Sequence, residues 1–460
     1  MLNFWDYSAW GAVNLFAILL ISLLAANLLK KVIPGLKAAL IPSSVLGGGL
    51  LIIVAGIYKL CTGDVMFDTK FFGSNGTANL ELITYHCLAL GFIASSFKSS
   101  KGKLTGKRAV EIFNTGVTTV STYLLQAVLG MSISLVAVWF IKDFFPAAGI
   151  LLPFGYGQGT GQAMNYGNIF EVDNGFVGGK VFGLTIAALG FLSASIGGVI
   201  HLNILRKKGL ASAHLETAEK LDAEDIQKDN EIPMQESIDK MTVQIALVTA
   251  AYLLAYFMMA GLGKLLPGMR STIFGFNFLL GVVSATLIRT LLNLANKKKI
   301  FRRVQVNDFL MTRTSNFFFD LMVVAGVAAI RLDELESYWG IILIMGVVGL
   351  VSTYAYNLYI AKKLFPEYPQ EQFLMMYGML TGTASTGTIL LREIDGEFKT
   401  PAADNMVYQN FPAIVFGFPL MLLATLAPKK PWLTFLILIG FFLVMNVILF
   451  RSFIFRKKKK

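Results

Sequence analysis

Cysteine and histidine are nearly missing from this 460-residue chain, which holds two cysteines, Cys61 and Cys87, and three scattered histidines, His86, His201 and His214. That leaves too few soft ligands for a Cys/His metal centre, and nothing in the spacing pairs the two thiols as a redox motif or a disulfide. There is no HExxH stretch, no pair of catalytic carboxylates and no Ser–His pairing beside the glycine-rich segments described below. The chain is therefore not read as an enzyme, although a serine–lysine arrangement stays open. Charge is scarce as well: 15% of residues are charged, against about 25% in an ordinary soluble domain. Acidic residues are the scarcer sign, at 28 against 40 basic, a net charge of +12. The basic residues fall in short clusters between apolar blocks, without the continuous basic face and interleaved aromatics of a nucleic-acid binder.

What is present in excess is apolar sequence, 55% of the chain, gathered in blocks of the roughly 20 residues that a helix needs to cross a bilayer. Spans are expected at 9–29, 38–60, 83–97, 113–141 and 178–205, and then at 243–265, 271–292, 308–330, 339–361, 406–427 and 432–455. The first block has no basic leader and no small-residue cleavage site, so it is expected to be a retained span. Between the two groups lies a polar stretch, 206–240, with nine acidic and six basic residues, read as a solvated linker. Its segment AHLETAEKLDAEDIQ has the composition of a short surface helix.

Two further segments are apolar at their ends and rich in Gly, Thr, Ser, Gln and Asn in the middle: LLPFGYGQGTGQAMNYGNIF within 147–170, and MMYGMLTGTASTGTILL within 373–391. Glycine costs a helix interior about 1 kcal/mol relative to alanine. Non-helical backbone at membrane depth is tolerated only inside protein or along a water-filled cavity. Both segments are therefore expected to be re-entrant hairpins. Counting them as zero crossings makes each half five spans, with a final eleventh span after residue 428. The N-terminus then lies outside and the C-terminus inside. Loops assigned inside carry 28 Lys and Arg, those outside carry 9, and Arg289, Arg313 and Arg451 fall within spans, the asymmetry of the positive-inside rule.

The expected architecture is an all-α polytopic membrane protein of two inverted repeats, 1–205 and 241–428, joined by the linker 206–240. A segment 429–460 adds the extra span and the basic tail Arg456–Lys460. The first hairpin dips from outside and the second from inside. Gly155-x-x-x-Gly159-Thr160 aligns with Gly378-x-x-x-Gly382-Thr383. Paired, glycine-interrupted segments at matching positions of two halves point to a transporter's binding site.

The site residues follow from that placement. Half-helix starts offer N–H groups to anions, and freed carbonyls, hydroxyls and amides suit Na⁺. The first hairpin supplies Gly155, Gln158, Gly159, Thr160, Gly161, Gln162 and Asn165; the second supplies Thr381, Gly382, Thr383, Ser385, Thr386 and Thr388. The competing reading of each segment is close helix packing through small residues. Asp320 lies near mid-depth of its span, with Asn316 and Arg313 on the same face. Two readings stand: an internal packing pair, or a coupling-ion site at Asp320 or Asn316. The fourth span has a polar face of Asn114, Thr118, Ser121, Thr122 and Gln126, either lining a cavity or bonding its own backbone. Arg392, Tyr408, Gln409 and Asn410 are further candidates, with Arg392 either meeting a carboxylate or anchoring the surface. The tail Arg456–Lys460 reads as a topology anchor touching anionic lipid.

IPSSVLGGGLL at 41–51, GYGQGTGQA at 155–163 and GMLTGTASTGTILL at 378–391, with the five-plus-five organisation, resemble the bacterial sodium/glutamate symporter family. The resemblance implies uptake of an anionic amino acid driven by Na⁺, with no other cofactor. It also implies a homodimer in the bacterial cytoplasmic membrane whose hairpin-bearing region moves against a static scaffold, as an elevator does. Gln158 stands where the family's first hairpin has a histidine, so a related dicarboxylate or another amino acid is an alternative substrate. Proton coupling is the alternative to Na⁺. A channel is the remaining rival, but filters place matching loops around one axis from the same side.

Overall fold

In the computed structural model the described residues are 3–98, 106–209, 226–227, 230–234, 237–301, 303–335, 338–396 and 399–454. Most of the linker, including nearly all of AHLETAEKLDAEDIQ, and the basic tail Arg456–Lys460 lie outside them. The described chain is helical throughout, with no strand and one isolated parallel bridge, Glu231 to Val304. Its main helices are α1 (Tyr7–Val32), α2 (Ser43–Thr62), α3 (Gly76–Ser96), α4 (Gly106–Ala137), α5 (Leu151–Asn174), α6 (Gly179–Lys207), α7 (Lys240–Leu265) and α8 (Asn277–Lys297). There follow α9 (Asp308–Ala328), α10 (Trp339–Leu364), α11 (Pro369–Thr381), α12 (Ala384–Arg392), α13 (Ala402–Tyr408), α14 (Asn410–Leu426) and α15 (Pro431–Leu449). Among the described residues nine helices are long and apolar enough to cross a membrane, and a bent α13–α14 pair would make ten. This is a multi-pass membrane protein. The remaining expected span, 308–330, forms the helix α9, which carries Asp308, Arg313 and Asp320 and is not one of these.

Two expected spans differ in detail. The block 271–292 is a short helix, Arg270–Gly275, followed by α8. The break is held by Asn277, fully buried, whose amide donates to the Tyr85 carbonyl at 3.0 Å. The block 406–427 is α13 and α14, bent by 52°. Pro412, at the start of the second piece, has no N–H to give and disfavours helix at the residue before it.

The helices gather into two compact units that cut across the halves of the chain. Unit 1 holds residues 1–20, 61–101 and 218–326, and unit 2 holds 21–60, 102–217 and 327–460. In unit 1, α3, α7, α8 and α9 close on a core of Ile93, Ala94, Phe97, Val248, Ala251, Ala285 and Met311. The end of the linker docks here: Lys240 Nζ donates to Glu231 Oε2 at 2.9 Å, and Asn307 donates to the same oxygen at 2.6 Å. All three are buried. Asp239 caps α7 by accepting from the Met241 N–H at 2.8 Å.

Unit 2 holds α4, both glycine-rich segments, α6, α10 and the last helices. One apolar cluster joins Leu202 and Leu205 of α6, Ala361 of α10, and Phe373, Leu374, Tyr377 and Leu390 of α11 and α12. The last helix is part of this unit's frame. Asn446 of α15 accepts from the Tyr356 hydroxyl of α10 at 2.7 Å, and Arg451, just beyond α15, donates to Asn114 of α4 at 3.0 Å.

Candidate functional site

The segment α5 folds back on itself. The rings of Phe154 and Tyr166, twelve residues apart, stack at 4.0 Å with 13° between their planes. A straight helix would hold them about 18 Å apart. The reversal sits at Gly159, whose φ of 79° and ψ of −171° belong to a region open only to glycine. One arm is 151–158 and the other 160–174.

The second segment also reverses. After α11 ends at Thr381, Gly382 leaves helical geometry with φ −136° and ψ −109°, Thr383 is extended, and α12 returns. The arms touch backbone to backbone: a methyl group on Gly387 would lie 2.6 Å from the Met375 carbonyl oxygen.

Both tips meet α6 and α4 within unit 2. A Cβ on Gly190 of α6 would lie 2.5 Å from the Thr381 carbonyl oxygen and 3.2 Å from Tyr156 Cα, so this glycine backs one hairpin on each side. From α4, the Tyr123 hydroxyl donates to the Gly157 carbonyl at 3.0 Å. One turn on, Gln126 Nε2 donates to the Leu380 carbonyl at 2.9 Å and to Thr353 Oγ1 of α10 at 2.8 Å. One helix thus grips the backbone of both hairpins near their tips.

The α4–α10 contact is reciprocal. Gln126 bonds Thr353, and Asn357 Nδ2 approaches Thr122 Oγ1 at 3.4 Å, as two antiparallel neighbours allow. The sequence carries the same pairing: Ser121-Thr-Tyr-Leu-Leu-Gln126 recurs 231 residues later as Ser352-Thr-Tyr-Ala-Tyr-Asn357. Tyr123, Thr353 and Asn357 were missing from the sequence-derived candidates, and this six-residue repeat is the signal that finds them.

Around the tips the polar groups divide. Thr160, Gln162 and Asn165 are buried, and Asn165 donates to Gln162 Oε1 at 3.4 Å. Gln162 Nε2 and Gln126 Oε1 are buried with no hydrogen-bond partner, one an unmet donor and the other an unmet acceptor. Leaving such groups unpaired at membrane depth is costly, and it marks places where a ligand would complete the bonding. Thr381 and Thr388 bond their own helix, to Tyr377 O at 2.6 Å and Ala384 O at 2.9 Å. Gln158, Thr383 and Ser385 are half-buried, while Thr386 is fully buried.

Gln409 also belongs to this region. It accepts from Thr119 of α4 at 3.0 Å and donates to Asn410 Oδ1 at 3.1 Å. Arg392 ends α12 with its side chain exposed. Asn316 and Asp320 are exposed on α9 of unit 1, where Arg313 lies 5.0 Å over the Phe309 ring. They are not in the unit that holds the hairpins.

The site residues named above offer hydroxyl, carbonyl and amide groups, with the Met379 sulfur 3.6 Å from the Gln409 amide. Among the described residues no cluster of three His, Cys, Asp or Glu has the makings of a metal centre. No protein-family model matches the chain, and no curated protein matches it either.

Proposed function

We propose that this protein is a secondary active transporter of a small anionic amino acid, glutamate in the first instance, coupled to Na⁺ and working by alternating access. The chain would be two inverted repeats, each of five spans and a hairpin, with α15 added, and the hairpin-bearing unit would move as an elevator. A homodimer in the bacterial cytoplasmic membrane, N-terminus outside, completes the reading.

The observation that carries it is the meeting of two fold-backs on α4, with an unmet donor at Gln162 and an unmet acceptor at Gln126. An amide donor suits a carboxylate, and an amide oxygen suits a hard cation such as Na⁺. The reciprocal Gln126–Thr353 and Asn357–Thr122 contacts support the repeat, because a two-fold relation between halves would exchange them.

The test is radiolabelled glutamate uptake into proteoliposomes, with and without an inward Na⁺ gradient. Accumulation against the glutamate gradient only when Na⁺ is present is the expected result. Saturable, Na⁺-independent uptake would remove the coupling, and downhill flux without accumulation would turn the reading towards a channel.

A further inference from the structure

A stripe of polar side chains runs along one face of α4: Glu111, Thr115, Thr119, Thr122 and Gln126, at steps of four, four, three and four residues. Fifteen residues of helix make the stripe about 22 Å long, most of the thickness of a bilayer's hydrocarbon core. Four of its five members bond across to another element of unit 2. Thr115 accepts from Gln372 Nε2 at 3.1 Å, and Gln372 in turn accepts from Asn405 Nδ2 at 3.2 Å. Asn405 also donates to the Tyr368 hydroxyl at 3.0 Å. Thr119 meets Gln409, Thr122 meets Asn357, and Gln126 meets Thr353 and Leu380. At the Glu111 end a cavity of about 400 Å³ opens, lined by Lys107, Glu111, Asn114, Phe365, Glu367 and Tyr368, with Glu111 paired to Arg108 and Glu367 to Lys107.

A polar seam whose only task is packing should close its own hydrogen bonds. This one leaves two buried amide oxygens unmet, Asn405 Oδ1 beside Tyr368 near the cavity and Gln126 Oε1 at the hairpin tips. Both are acceptors, and both belong to fully buried side chains. From Thr115 to Gln126 the stripe carries hydroxyls and amides and no cation of its own. Such oxygens replace the water shell of a small monovalent cation, and they hold water when the cation is away.

We propose that this seam is a hydratable route by which a small monovalent cation passes between the cavity at Glu111 and the hairpin tips. The proposal rests on the carrier reading above, for which the route would serve the coupling ion. It assigns Thr115, Thr119, Gln372, Asn405 and Gln409 to that path.

The test uses purified full-length protein in lipid nanodiscs, on a Cys61→Ser, Cys87→Ser background. Single cysteines at Thr115, Thr119 and Thr122 are compared with Val117→Cys and Val120→Cys, which replace buried side chains off the stripe on the same helix. The probe is a cationic, water-soluble methanethiosulfonate. Because dry bilayer depth excludes it, seam cysteines should react about tenfold faster than the two controls, and Na⁺ should slow them. Equal rates on stripe and controls would overturn the route.

Should the cysteine variants fail to fold, hydroxyl-radical footprinting of the unaltered protein gives a second reading. Met379, whose sulfur takes the Gln409 amide at 3.6 Å, should oxidise much faster than Met375 although both are buried, and equal oxidation would overturn the route. Uptake that survives with an inert seam removes the route and leaves the carrier. A reactive, Na⁺-protected seam in a protein that accumulates nothing supports the route and removes the carrier.

Discussion

Gln126 and Thr353 share a 2.8 Å hydrogen bond between two antiparallel helices, and the same amide proton donor reaches the Leu380 carbonyl of the second hairpin. Replacing Gln126 with Leu leaves a buried hydroxyl and a buried carbonyl with one partner fewer, a cost of about 1–3 kcal/mol. Uptake should fall about tenfold or more, and the melting temperature should drop. A double-mutant cycle with Thr353→Val checks the pairing: a coupling energy near zero would mean that the bond carries nothing.

Gly159 turns the first hairpin at a positive φ, so Gly159→Ala should cost about 1–2 kcal/mol and disturb the tip. Gly161→Ala, whose glycine does not have positive φ, is the comparison. Thermal melting of the two purified variants reads the difference; equal losses would argue against a strained turn at residue 159.

Lys240 and Glu231 form a buried ion pair with side-chain exposures of 1% and 4%. Removing one partner strands the other charge, so Lys240→Met alone should destabilise by about 3–5 kcal/mol. The double variant Lys240→Met, Glu231→Leu should recover much of that loss. Expression level and melting of Lys240→Met, Glu231→Leu and the double variant decide it, and a double variant worse than both singles would contradict the pairing.

Asp333 accepts a hydrogen bond from Lys59 at 2.9 Å, which holds its carboxyl below the ordinary aspartate value. The stabilisation is therefore present above the unfolded aspartate value and is lost as pH falls through the folded one. Both side chains are more than a third exposed, so solvent screening keeps the pair under about 1 kcal/mol. Asp333→Asn should melt slightly lower at neutral pH, and the gap should close in acid. A gap that widens in acid would reverse the sign of the assignment.

The long spans were legible because apolar blocks of membrane length leave a helix few alternatives, and glycine clusters marked both fold-backs. The bend at Tyr408–Pro412 was hidden because a single proline inside an apolar block is also tolerated in a continuous spanning helix. The grouping of α3 with α7, α8 and α9 depends on side chains such as Asn277 and Tyr85 meeting across nearly 200 residues, which no local pattern encodes. Thr353 and Asn357 were readable in the repeat STYLLQ and STYAYN, but six residues within two spans are easily lost among apolar neighbours. Gln126 was visible as part of a polar face; only its partners separate a functional contact from a hydroxyl bonded to its own helix.

The interleaving of the two units also sets an order on biosynthesis. Unit 1 draws on residues up to 326, and unit 2 closes only with segments after 327. Neither can finish when the ribosome is halfway through the chain. Helices such as α3 and α4 must wait in the bilayer with polar groups unsatisfied until partners more than 150 residues downstream emerge. The first half made alone should therefore be a substrate for membrane quality control, and the two halves made as separate chains should survive only together.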